Sequence, residues 1–191
     1  MTATELLLNV SNVHVAYPAR RRGGKSARAV DGVDLEIRPG EIVALVGESG
    51  CGKTTLARVI LGLQETSEGS IAFDGELLPT SASGKKAFRR RAQIVFQDPT
   101  ASLNPRHSVY EIVAEGLRIH GLVENEHQVV KNALEQCGLH PAERYMLKYP
   151  HELSGGQRQR VVIAGAMVLK PQLLVADEPV SSLDASVRGE I

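Results

Sequence analysis

The stretch EIVALVGESGCGKTTLARVILGL, residues 41–63, leaves a chain few ways to fold. EIVALV (41–46) carries five consecutive apolar residues, Ile42 to Val46, and reads as a strand buried on both faces. A loop holding Gly47, Gly50 and Gly52 follows, and TTLARVILGL then repeats apolar positions at helical spacing. Strand, glycine loop and helix in that order begin an α/β layer. The loop fits Gly-x-x-x-x-Gly-Lys-Thr from Gly47 to Thr54, with Glu48, Ser49, Gly50 and Cys51 at the variable positions. Its chemistry is anion capture: glycines let main-chain N–H groups face a phosphate chain, and the following helix adds its positive end. Lys53 is placed to reach β- and γ-phosphates, Thr54 to offer its hydroxyl to Mg²⁺, and Thr55 continues the helix start.

Two further runs, AQIVF (92–96) and QLLVAD (172–177), share the apolar character of EIVALV, so all three are predicted to be buried parallel strands with helical cover. NVHVAY, AVDGVDLEI and GSIAFDG alternate with period two and read as half-exposed antiparallel strands. Between residues 99 and 153, VYEIVAEGLRIH and HQVVKNALEQCGL carry helix-spaced apolar positions, among them Val130, Ala133, Leu134 and Cys137. That stretch is predicted to be a helical subdomain inserted between two core strands. GQRQRVVIAGAMVLK is the helix expected before the last strand.

Composition narrows the class. At 191 residues the chain can bury a real core, and 42% hydrophobic with 23% charged residues speaks against disorder. A net charge of zero argues against a dedicated nucleic-acid binder. No basic start with a long apolar run opens the sequence, and no stretch approaches the roughly 20 apolar residues of a membrane span, so a cytosolic chain is expected. Cys51 and Cys137 show no metal or redox spacing and read as free thiols. The basic clusters RRRGGK (20–25) and KKAFRRR (85–91) read as a solvated loop and a helix face.

LLVADE ends a buried strand with Asp177 and Glu178, where α/β sheets present ligand-contacting groups, and Pro179 stops the strand. Asp177 reads as a Mg²⁺ partner and Glu178 as the group that polarises an attacking water. HELSGGQRQR (151–160) sets a Ser154-Gly155-Gly156 turn before a polar helix start, which makes a second anion site.

With GESGCGKT, VFQDP, HELSGGQ, LLVADE and SSLD in this order, the chain resembles the nucleotide-binding subunit of an ATP-binding cassette (ABC) transporter from residue 6 to 191. The resemblance implies an α/β fold: a P-loop NTPase (RecA-like) core with an N-terminal antiparallel β subdomain and an α-helical subdomain. Residues 1–98 would hold the β subdomain and the first part of the core, 99–153 the helical subdomain, and 154–191 the signature helix, the Asp177–Glu178 strand end and the loop at Asp184. Two such domains close head to tail in this family, so Ser154, Gly155, Gly156 and Gln157 of one chain would cap the γ-phosphate held by the other. Gln97 is similar to the glutamine that senses Mg²⁺ and the attacking water, Tyr17 to the aromatic that stacks on adenine, and Asp184 to the residue that crosses the dimer interface. From its place on one strand face with Val13 and Val15, a core role for Tyr17 is equally open.

The implied ligands are ATP and Mg²⁺, the latter held by Thr54, Gln97 and Asp177. The implied partners are a second ATPase subunit, identical or sister, membrane permease subunits, and indirectly a substrate-binding protein, at the cytoplasmic face of the membrane. VFQDPTASLNPRHSV, HELSGGQRQRVVIA and DEPVSSLDASV resemble the dipeptide and oligopeptide importer branch, with nickel and glutathione importers close by. A soluble DNA- or ribosome-directed ABC protein and a non-hydrolysing nucleotide-binding regulator are the competing readings.

Two departures stand out. Gly165 occupies a place where relatives carry arginine. The family's switch histidine has no counterpart among His14, His107, His120, His127, His140 and His151, and Ile191 comes seven residues after Asp184. The expectation is therefore a sheet short of outer strands, weak stability and low hydrolysis for this chain alone.

Overall fold

The computed structural model describes residues 6–17 and 27–177. Contacts divide the chain into two compact units, Met1–Phe88 and Arg89–Ile191.

The first unit is built on an antiparallel sheet of order β2-β1-β3-β4, with β1 Leu8–Tyr17, β2 Ala27–Ile37, β3 Glu68–Phe73 and β4 Glu76–Leu77. The period-two stretches form these strands as expected, because Leu8, Val10, Val13, Val15, Ile71 and Phe73 all bury their side chains. Val10 and Val13 are three apart yet both buried. The register of β1 shifts between them against β2, and Asn12 takes φ +45° there, with its N–H donating to Asp34 at 2.8 Å. Gly69, at φ +84°, lies against this irregular stretch; a Cβ there would stand 2.2 Å from the Asn12 carbonyl oxygen, so only glycine fits. Helix α1, Lys53–Ile60, buries Leu56, Ala57, Val59 and Ile60. Helix α2, Ala82–Arg91, carries the KKAFRRR cluster and anchors through Phe88, whose ring meets Phe73 edge-on at 5.2 Å. The RRRGGK cluster lies outside the described residues.

EIVALV is a correction to the sequence reading. Residues 41–46 form no strand, and Ile42 is 98% and Val46 94% exposed. The cause is lateral: a strand is held by hydrogen bonds to a neighbour, and no described strand pairs with this run. An apolar run specifies what a segment wants to bury but not who will lie beside it.

The second unit contains the other two expected parallel strands. β5, Ala92–Val95, pairs in parallel with β6, Leu173–Ala176, in register from Ala92↔Leu173 to Val95↔Ala176. Between them lie α3 Pro99–Ser102, α4 Val109–Ile119, α5 Glu126–Gln136, α6 Glu143–Met146, a short 3₁₀ turn Pro150–Glu152 and α7 Gly155–Met167. One core joins them through Val109, Val113, Leu117, Val130, Leu134 and Val161. Ala133 is buried with them and Cys137 half-buried. Ser108 and Glu111 close a reciprocal capping box on α4. Arg118 donates to both carboxylate oxygens of Glu126, at 3.0 and 2.7 Å, and the Tyr110 hydroxyl donates to the same carboxylate at 2.8 Å, which ties α4 to α5. Cys51 and Cys137 are free, and among the described residues no helix is long and apolar enough to cross a membrane.

Gly165 sits inside α7, and a Cβ there would meet only the Ile112 carbonyl oxygen at an ordinary 3.9 Å. Gly165→Ala should therefore stabilise the fold by about 1 kcal/mol, raising Tm by about 2–4 °C in a thermal melt, and an unchanged or lower Tm counts against an unstrained site. The Arg118 guanidinium, then the Tyr110 hydroxyl, hold the Glu126 carboxyl below the usual carboxylate range. A carboxyl with a lowered folded-state pKa contributes fully above its unfolded pKa of about 4.3 and loses that contribution as pH falls through the folded value. Glu126→Gln should lower Tm at pH 7, and melts from pH 7 to 3 should show the two proteins converging on acidification.

Candidate nucleotide-binding site

The glycine loop runs from Gly47 into α1, and its shape depends on residues without side chains. Gly50 has φ +81° and Gly52, the residue before α1, has φ +98°. A Cβ on Gly52 would stand 2.1 Å from the Ala29 carbonyl oxygen, so the loop crosses β2 more closely than any other residue permits. Nothing lies within 4 Å of the position a Cβ would take on Gly50. Lys53 turns back over the loop and donates through Nζ to the carbonyls of Gly47 at 2.7 Å and Glu48 at 2.8 Å, with Cys51 Sγ at 3.6 Å. The ammonium thus sits on the loop that it was expected to serve, in contacts that a phosphate oxygen can replace with stronger charge-assisted ones. Ser49 and Cys51 are exposed on the same loop, and Thr54 lies in the first turn of α1.

Tyr17 resolves an open alternative. It is 40% exposed while Val13 and Val15 are buried, so it does not line the core. Its hydroxyl donates to Gln64 Oε1 at 2.9 Å and lies 3.5 Å from the Thr55 hydroxyl. That places the ring beside the first turn of α1, directly after the glycine loop. Gln64 was missed by sequence reasoning, because a lone polar residue 47 positions from its partner carries no local signal.

In the second unit, parallel pairing brings two expected site residues to one sheet end. Val95 lies opposite Ala176, and the Asp177 N–H donates to the Val95 carbonyl at 3.0 Å. Gln97 follows β5 and Asp177 follows β6, so both leave the carboxyl ends of neighbouring strands, where α/β sheets receive ligands. Among the described residues no group of three or more His, Cys, Asp or Glu could hold a metal by itself. The Gln97 and Asp177 side chains carry oxygen donors, the donor type of which Mg²⁺ takes one or two while phosphates and water complete its shell.

Ser154 is the N-cap of α7. Its hydroxyl accepts from the Gln157 N–H at 3.2 Å, and Gln157 Oε1 accepts from the Ser154 N–H at 3.0 Å. These side chains form a capping box, a structural role that the sequence reading did not assign them. Gly155 is exposed, and nothing lies within 4 Å of where its Cβ would be, so the turn is open on that side. Gly156 continues the turn. Glu178 and Asp184 lie outside the described residues.

The chain is 48% identical over 190 residues to a putative oligopeptide transport ATP-binding protein, YkfD, of Bacillus subtilis (strain 168), covering 97% of this chain and 56% of that protein. It is 44% identical over 194 residues to the glutathione import ATP-binding protein GsiA of Escherichia coli (strain K12), covering 98% of this chain and 31% of that one. The chain thus spans about half the length of one curated relative and a third of the other. Among solved structures, cbiO1 from Clostridium perfringens, part of the ABC transporter complex cbiONQ, superposes with TM-score 0.79 at 32% identity over 97% of this chain and 70% of that one. The ATP-binding cassette MJ0796, a dimer in a post-hydrolysis state bound to ADP and Pi, superposes with TM-score 0.83 at 30% identity over 96% of this chain and 79% of that one. The sequence profile described as ABC transporter matches residues 30–181, and by that match this chain belongs to the ABC transporter family.

Proposed function

We propose that the chain binds and hydrolyses ATP as the motor subunit of an importer of short peptides, glutathione among them, acting as a dimer on permease partners at the cytoplasmic face of the membrane. The observation that carries this is the Gly47–Thr54 loop, whose glycine backbone admits no Cβ at Gly52 and whose lysine rests on the loop's own carbonyls. The substrate class follows from the relatives named for oligopeptide transport and glutathione import.

Lys53 exchanges its Gly47 and Glu48 contacts for phosphate oxygens when nucleotide enters, and the loop's N–H groups take the remaining negative charge. Tyr17 supplies a ring against adenine. Thr54 would offer its hydroxyl to Mg²⁺, and Gln97 and Asp177 would offer side-chain oxygens to it; the ion would neutralise charge on the phosphates. Gln97 and Glu178 orient the attacking water, with Glu178 accepting its proton. The Ser154–Gln157 turn of a second subunit presents a capped helix start to the γ-phosphate, so the site is complete only in the dimer.

Lys53→Ala should abolish Mg-ATP binding measured by calorimetry while leaving the far-UV circular dichroism unchanged. Steady-state hydrolysis by the wild-type chain should rise faster than linearly with protein concentration, as a two-chain site requires. Glu178→Gln should retain nucleotide binding and lose about 10²-fold or more in turnover. A strictly linear concentration dependence, or full turnover in the Glu178→Gln variant, would overturn the assignment.

A further inference from the structure

Among the described residues Gln159 is the one buried polar side chain, 0% exposed, and neither its Oε1 nor its Nε2 has a hydrogen-bond partner. A buried amide with both groups unmet destabilises the state that holds it, whereas an apolar side chain of similar size would not. Such a residue calls for an account outside the stability of this state.

Its position supplies one. Helix α7 opens with the Ser154–Gln157 turn, so Gln159 lies two residues beyond it. Val161, Ala164 and Val168 point into the helical core. At 3.6 residues per turn, Gln159 stands about 160° around the helix from Val161. Ala166, seven residues on, shares the side of Gln159 and is buried too, and neither belongs to the helical core. Besides α4 and α5, α7 packs on α3 and β5. The irregular stretch Phe96–Asp98 joins β5 to α3 and carries Gln97. Gln159 is therefore on the helix that begins with the signature turn, on the side away from Val161, and that helix also packs on β5, the strand that leads into the junction bearing Gln97.

We propose that Gln159 is a positioning residue: its amide finds partners in main-chain groups of Phe96–Asp98 only in the nucleotide-engaged state, and so ties the Ser154–Gln157 turn to Gln97. A carboxamide carries both a donor and an acceptor, which matches a main chain offering both. Gln159 touches neither nucleotide nor water in this scheme. The inference rests on the ATPase reading above.

The test compares wild type, Gln159→Leu and Gln159→Asn in the full chain by thermal melts with and without Mg-ATP and by steady-state hydrolysis. Without nucleotide, the leucine variant should melt at or above the wild-type temperature. Its kcat should fall about tenfold, the scale of one hydrogen bond missing from the reactive state, with KM for ATP within about twofold of wild type. Mg-ATP should raise its Tm less than it raises that of wild type, and the asparagine variant, which keeps donor and acceptor on a shorter stem, should fall between the two. A leucine variant with wild-type kcat and a full Mg-ATP shift overturns the proposal. So does one that melts well below wild type without nucleotide, since the amide would then be satisfied in the resting fold. Wild type that binds Mg-ATP without turnover refutes the hydrolysis reading alone, and the Tm shifts still decide Gln159. Wild type that fails to bind Mg-ATP overturns both.

Discussion

The hydrogen bonds between Ala92–Val95 and Leu173–Ala176 hold the second unit in register, because everything from Phe96 to Gln172 leaves and returns through that pair. Parallel strands cannot be joined by a tight turn, so a long crossover is obligatory. Here the crossover is a helical core of its own, closed by Val109, Val113, Val130, Leu134 and Val161. Its last helix, α7, delivers the chain back to β6. The same register sets Gln97 and Asp177 at the carboxyl ends of adjacent strands, so the pairing that organises the unit also assembles its polar edge.

Main-chain hydrogen bonding also explains what the first unit does not form. Ile42–Val46 has the composition of a buried strand, but with no described strand beside it its N–H and C=O groups gain nothing from extension. The glycine loop that follows keeps its form, since it relies on local backbone geometry at Gly50 and Gly52 and on close approach to Ala29. The glycine loop thus keeps its form although no described strand pairs with the run that leads into it. Two devices with adjacent sequences depend on different ranges of contact.

The candidate site was legible where chemistry is local. Gly47, Gly50, Gly52, Lys53 and Thr54 could be read at once, because their spacing states the geometry that a phosphate needs. Ser154 and Gln157 could be read as a helix start, though their capping box shows that the pair also serves α7 itself. Tyr17 could not be settled from period two alone. Its exposure follows from the end of β1 and from the Gln64 and Thr55 hydroxyl contacts, which come from distant parts of the chain. Gln159 gave no sign at all, since an unremarkable polar residue in a polar helix start shows its burial only when the flank it faces is known.

The sequence by itself determined the local elements: the period-two strands of the antiparallel sheet, the helices between residues 99 and 153, the glycine loop and the capped turn at Ser154. Each of these is specified by neighbours a few residues away, through side-chain periodicity, glycine conformations and capping groups. Only the tertiary structure decided that Ala92–Val95 and Leu173–Ala176 pair while Ile42–Val46 meets no described strand, that Tyr17 faces outward onto Gln64, and that Gln159 is sealed from water with no partner among the described residues. These outcomes depend on which groups are brought alongside one another across tens of residues, and pairing of that kind is a property of two segments, never of one.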